Sequence, residues 1–165
     1  MLAEYDIAWF EEALRPDDLD GYVALRQRST VPIAGGEVLT RRQDFLRFLS
    51  AGAFDIVQPD TTKGGGLSES RRVAWFADAV GAKFIPHGWN TAIGLAADLQ
   101  LASALPGTDL VEYKTGSGYI DELVVGGFTL DSDGMLAVPA GPGLGVDFDV
   151  DALDRFSPGH GLFDD

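Results

Sequence analysis

Four polar residues each close a short apolar run. They are Glu11 after Ile7-Ala8-Trp9-Phe10, Glu37 after Ile33-Ala34-Gly35-Gly36, Asp60 after Ile56-Val57-Gln58-Pro59, and His87 after Phe84-Ile85-Pro86. Two glutamates on neighbouring strand ends suit a hard cation such as Mg²⁺, which takes oxygen ligands. An aspartate next to a histidine fixes the imidazole tautomer and strengthens it as a general base. Each pair also has a plainer reading. Rim glutamates can simply be solvated, and a histidine on an apolar face is often structural. Glu12 lies beside Glu11, but side-chain alternation along a strand predicts that it points elsewhere. Lys63 and Glu112 are further candidates for touching a substrate, or for a rim ion pair.

The elements needed to carry these residues repeat along the chain. Apolar runs ending at Glu11, Glu37, Gln58 and His87 read as strands, with a fifth at Leu110 to Tyr113. Helical stretches follow them. One is expected from Leu19 to about Ser29, entered through the helix-capping Asp17-Asp18. A second has its apolar face at Phe45, Phe48 and Leu49, after a capping box at Thr40 to Gln43. A third runs from Leu67 to about Val80, and a fourth from Thr91 to Leu105 is apolar all round and expected to be buried. Strand, polar residue, helix, repeated, is how a parallel β/α barrel gathers residues on one rim. The later chain departs from this pattern. Phe128–Leu130 and Met135–Ala137, around Asp131-Ser132-Asp133-Gly134, read as a β-hairpin. Pro139 to Gly145 reads as loop, Val150 to Phe156 as one or two helical turns, and the tail from Ser157 as mobile. His160, in that tail, has no evident partner.

The 165 residues carry 26 acidic and 12 basic side chains, a net charge of −14. Such a surface repels nucleic acid and anionic membranes. It fits the solvated acidic exterior of salt-adapted, halophilic proteins, or an ordinary acidic cytosolic one. The absence of cysteine rules out disulfides and thiolate metal sites. The most apolar stretch is interrupted by Asp98 and Gln100, so no membrane-spanning segment is expected. No secretory signal is visible at the start, and a cytoplasmic location is the expectation.

Trp9-Phe10-Glu11-Glu12, Gly36-Glu37, Gln58-Pro59-Asp60 with Lys63-Gly64-Gly65, and Pro86-His87 resemble the enolase superfamily. They are most similar to its mandelate racemase/muconate lactonizing enzyme branch, which includes acid-sugar (aldonate) dehydratases. The resemblance runs from Asp6 to Gly145. It implies that Glu11 and Glu37 are two ligands of an essential Mg²⁺. It implies that His87, oriented by Asp60, removes the proton α to a substrate carboxylate, and that Glu112 hydrogen-bonds that carboxylate. In a dehydratase, loss of the β-hydroxyl then gives a 2-keto-3-deoxy acid. A racemase or epimerase of a 2-hydroxy acid is the alternative, and a non-catalytic half-barrel scaffold is another. Ala13 stands where the family usually has proline.

The first metal-ligand aspartate, the strand-two base motif and the N-terminal capping domain have no counterpart. The expected fold is therefore a partial TIM-type (β/α) barrel, about the last five strands with a C-terminal β-hairpin, over residues 1–145. Residues 146–165 are expected to form a tail. A closed barrel has eight strands and about 250 residues, so the chain alone is expected to be inactive. Its expected partners are a small acid-sugar substrate and either another copy of itself or a chain supplying the missing half.

Overall fold

The computed structural model describes residues 2–157; residues 158–165, including His160, lie outside it. Four strands form one parallel sheet: β1 (Phe10–Glu11), β2 (Ile33–Gly35), β3 (Ile56–Val57) and β4 (Lys83–Phe84). Their order in the sheet is β1-β2-β3-β4. Each strand lies beside the next in sequence and no strand order reverses. That is how a barrel is wound, whereas a doubly wound sheet reverses at a switch point.

The paired strands are short, but the ladder outruns them. Glu12 N–H donates to Ala34 O at 3.1 Å, Gln58 N–H to Gly35 O at 3.0 Å, Ile85 N–H to Val57 O at 3.1 Å and His87 N–H to Pro59 O at 3.2 Å. The backbone is therefore held in register out to the predicted chemical residues. Alternation sorts the side chains onto two faces. Ile33, Val57 and Phe84 join the core with Tyr22, Phe45, Phe48, Val73 and Ala77. Ala34, Ile56 and Ile85 form a separate cluster on the other face, with Trp9 against it.

Helices cover the first face. α1 (Leu19–Arg28) starts at Asp18, whose Oδ1 accepts Gly21 N–H at 2.9 Å. It inserts the buried Tyr22, whose hydroxyl donates to Leu14 O at 2.9 Å and so satisfies its polar end. α2 (Arg42–Ser50) buries Phe45, Phe48 and Leu49. The predicted capping box does not form: the helix begins one residue later, the cap position falls on Arg41, and no side chain caps it. α3 (Gly66–Ala79) buries Val73, Ala74 and Ala77. Phe48 stacks on Phe54 with centroids 5.2 Å apart, and Tyr22 meets Phe54 edge-on at 5.0 Å. α4 (Ala92–Ser103) is buried over most of its surface, Leu95 and Ala96 completely. No helix among the described residues is long and apolar enough to cross a membrane.

Two expectations fail here. Leu110 to Tyr113 forms no strand, and the sheet has four strands rather than five. The hairpin is reduced to a single antiparallel bridge, Leu130 to Leu136. Its turn is intact, since Asp131 Oδ1 accepts the N–H groups of Asp133 and Met135, each at 2.9 Å.

The chain divides into two compact units, Met1–His87 with Leu101–Glu112, and Gly88–Gln100 with Tyr113–Asp165. The second unit contains α5 (Gly118–Asp121) and α6 (Val150–Phe156), the latter capped by Asp149 Oδ1 accepting Ala152 N–H at 2.9 Å. Its own core is Ala92, Leu123, Val124 and Ala152, with Phe128, Leu153 and Phe156 packed against it. A bridge from Val124 to Phe148 ties it together.

Asp55 locks the start of β3 to its neighbours. One oxygen receives Arg26 Nε at 2.7 Å and the other receives the N–H of fully buried Ile33 at 2.8 Å. Replacing Asp55 with alanine leaves that buried N–H unpaired. Asp55→Ala is expected to lower the unfolding free energy by about 2 kcal/mol in a urea titration. Asp55→Asn, which keeps an acceptor, is expected to lose less.

Candidate active site

The first unit brings the predicted residues together at the C-terminal ends of its strands. Along β3, Ile56, Gln58 and Asp60 share one parity, and so do Ile85 and His87 beyond β4 and Trp9 and Glu11 on β1. Ile56, Ile85 and Trp9 form the apolar floor on that face. Asp60 and His87 stand on it, 0% and 4% exposed.

His87 Nδ1 lies 2.9 Å from Asp60 Oδ2. The second Asp60 oxygen accepts the Thr62 N–H at 2.8 Å and the Thr62 hydroxyl at 2.5 Å. Lys63 Nζ lies 3.3 Å from Asp60 Oδ2 and donates to Glu37 O at 3.5 Å. Burial alone would raise the Asp60 pKa. The hydrogen bonds from His87, Thr62 and Lys63 outweigh it and hold the carboxyl well below the usual carboxylate range. Burial alone would likewise push His87 down. The Asp60 bond, then the charges of Glu112 and Glu37, outweigh both burial and the opposing Lys63 charge, and the imidazole is raised above its ordinary value.

With Nδ1 held by Asp60, Nε2 is the nitrogen left for proton transfer. It faces Glu37 Oε2 at 3.2 Å and Glu112 Oε2 at 3.8 Å. Glu112 thus reaches the cluster from a segment that is not a strand. Glu37 reaches it because Gly36, at φ 119°, breaks the alternation of β2.

Glu11 is held from two sides. Trp9 Nε1 donates to its Oε2 at 2.8 Å and Gln58 Nε2 donates to the same oxygen at 2.7 Å. Gln58 is 4% exposed, and its own Oε1 has no hydrogen-bond partner. Sequence reasoning gave Trp9, Gln58 and Thr62 no role. A glutamine just past β3, between Val57 and Pro59, was the available signal. Glu12 points away from Glu11, as expected, to the Phe54 side of β2, and its Oε1 accepts Gly36 N–H at 2.9 Å.

A buried aspartate–imidazole pair beside solvent-facing carboxylates can move a proton, and glutamate oxygens of this kind can hold a hard cation. Known proteins carry the same arrangement of chain. The family model described as Enolase C-terminal domain-like matches residues 1–152. The D-galactarolactone cycloisomerase of Agrobacterium fabrum is 35% identical over 162 residues, spanning 93% of this chain and 43% of the relative. The D-xylonate dehydratase of Haloferax volcanii is 33% identical over 166 residues, spanning 99% of this chain and 40% of the relative. The crystal structure of the 3,6-anhydro-D-galactonate cycloisomerase from Zobellia galactanivorans superposes with a TM-score of 0.85 at 38% identity, over 93% of this chain and 44% of that one. The chain spans less than half the length of these relatives.

The two shifted groups give stability opposite pH dependences. The contribution of Asp60, whose pKa is depressed on folding, is present above its unfolded value and is lost as pH falls through the folded one. The contribution of His87, raised on folding, is full below about 6.5 and is lost as pH rises through the folded value. In an NMR titration of the metal-free chain, the His87 midpoint is expected above the ordinary histidine value, and Asp60→Asn is expected to lower it. An unchanged midpoint in Asp60→Asn would show that Asp60 does not hold the imidazole.

Proposed function

The chain belongs to the enolase C-terminal domain-like family, in the mandelate racemase/muconate lactonizing branch of the enolase superfamily, and from that membership we propose that it carries the proton-abstracting part of a sugar-acid dehydratase site. The observation that carries this reading is the buried Asp60–His87 pair, 2.9 Å apart, with Nε2 turned toward two carboxylates. Named relatives include dehydratases of D-xylonate, D-galactonate and D-gluconate.

In this reaction His87 Nε2 takes the proton from the carbon α to the substrate carboxylate. Asp60 stabilises the imidazolium that results, and its contacts with Thr62 keep it ionised. The C–O bond at the β-carbon breaks and its hydroxyl leaves. The proton and hydroxyl lost together amount to one water, and the remaining enol becomes a 2-keto-3-deoxy acid. Glu112 hydrogen-bonds the substrate carboxylate, and Lys63, bonded to Asp60, stands where it can meet the same anion.

Glu11 and Glu37 are the residues that would hold Mg²⁺. Their fit rests on donor chemistry: both offer carboxylate oxygens, and Glu11 is fixed through Oε2 alone by Trp9 and Gln58. Among the described residues no group of three or more His, Asp or Glu is arranged to hold an ion, so water or substrate oxygens would complete the shell, as is usual for this metal. The bound ion would supply positive charge against the negative charge developing on the substrate carboxylate.

The site needs more rim than this stretch provides. Four strands are half of a closed barrel. The remaining strands, whether from a longer chain or another polypeptide, are part of the proposal, and the 165-residue chain by itself does not turn substrate over. A second reading, a cycloisomerase, is favoured by the relatives of that name at 35% and 38% identity, and it would begin with the same proton transfer.

The test is an assay with Mg²⁺ against D-xylonate, D-galactonate and D-gluconate, reading 2-keto-3-deoxy acid. No product is expected from the chain alone. Joined to the N-terminal part of the Haloferax volcanii D-xylonate dehydratase, it is expected to gain turnover, and His87→Asn in that joined form is expected to lower kcat by about 10³-fold. Turnover by the isolated chain would overturn the claim of an incomplete site. Undiminished turnover in the His87→Asn form would overturn the assignment of the base.

A further inference from the structure

Glu12 has no part in the reaction above, yet its conformation is unusual. Its φ is 45°, in the left-handed region that residues with a Cβ seldom occupy. Such outliers persist where surroundings over-determine them, and they gather at functional sites. Two hydrogen bonds do so here. The Glu12 N–H donates to Ala34 O at 3.1 Å, which continues the β1–β2 ladder to this residue. The Glu12 carboxylate then reaches across the neighbouring strand end, and its Oε1 accepts Gly36 N–H at 2.9 Å.

The sequence of β2 makes room for that reach. A Cβ at Gly35 would sit 3.2 Å from Glu12 Oε1 and 3.0 Å from the Phe54 ring. Gly36 follows at φ 119° and redirects the chain, and the next residue is Glu37, whose Oε2 lies 3.2 Å from His87 Nε2. Glu12 is half-buried and stands among like charges. A carboxylate in such a place is unfavourable unless its acceptor oxygen is needed there.

We propose that Glu12 is a positioning residue. Its side chain clamps the Gly36 amide, sets the turn that carries Glu37, and so holds the Glu37 carboxylate on the Nε2 side of His87. The metal-related half of this inference rests on the reading of Glu37 as a cation ligand; the clamp itself does not.

Two variants separate reach from charge. Glu12→Gln keeps an acceptor oxygen at the same length and removes the charge. Glu12→Asp keeps the charge and is one methylene too short to reach Gly36. In the metal-free 165-residue chain, Gly36 amide exchange is expected to rise about tenfold in Glu12→Asp. The amide resonances of Gly36 and Glu37 are expected to shift there, and all three readouts are expected to stay near wild type in Glu12→Gln. In a Mn²⁺ titration, Glu12→Asp is expected to weaken binding by about 10- to 100-fold, with Glu12→Gln close to wild type. Wild-type exchange and wild-type amide shifts in Glu12→Asp would overturn the clamp. A wild-type chain that takes up no Mn²⁺ would overturn the cation-ligand reading of Glu37, and the metal-free readouts would still decide the role of Glu12.

Discussion

The parallel register between neighbouring strands is the constraint on which the site depends. Ile56 pairs with Ala34 on one side and with Lys83 on the other. The ladder then runs on to the bond from His87 N–H to Pro59 O. A one-residue slip of β3 would turn Gln58 and Asp60 toward the helix-covered face, and a slip of β4 would turn His87. Asp60 and His87 meet at 2.9 Å because their backbones are already hydrogen-bonded neighbours. The helix side secures that register through Phe54, Phe48 and Tyr22, and through Asp55, which joins Arg26 of α1 to the first amide of β2.

Two residues of the rim have an unusual backbone. Gly36 turns Glu37 inward and left-handed Glu12 turns its own side chain toward Gly36. The result is a rim in which acidic groups crowd a single imidazole. Asp60 lies on one side of the ring, and Glu37 and Glu112 lie on the other. Such crowding raises the basicity of the histidine.

Helices and strands were unequally readable from the sequence. α1, α3 and α6 fall within a residue or so of expectation because a helix makes its hydrogen bonds within itself. Asp18 announces the start of α1, and Gly81 follows α3 closely. A strand is made by its neighbour. The apolar run at Leu110 to Tyr113 looks as strand-like as Ile56-Val57, but among the described residues it forms no strand. α5 was not foreseen; it is four residues long and Ser117 at its cap makes no side-chain capping bond. Asp60, His87 and Glu37, picked out by their position at the ends of apolar runs, are brought together in the structure. Glu12 lies on the side away from Glu11, as alternation predicts, but its bond to the Gly36 amide depends on a left-handed backbone that spacing does not reveal.

Trp9 adds an optical consequence. Its indole N–H is bonded to the same Glu11 oxygen that Gln58 holds, at 2.8 Å. The other two tryptophans, Trp75 and Trp89, are 56% and 62% exposed. A cation lies over each of those two rings, Arg71 on Trp75 and Lys114 on Trp89, whereas the Trp9 indole is tied to a carboxylate. The chain therefore carries its own spectroscopic probe of whatever arrives at Glu11, with no added label.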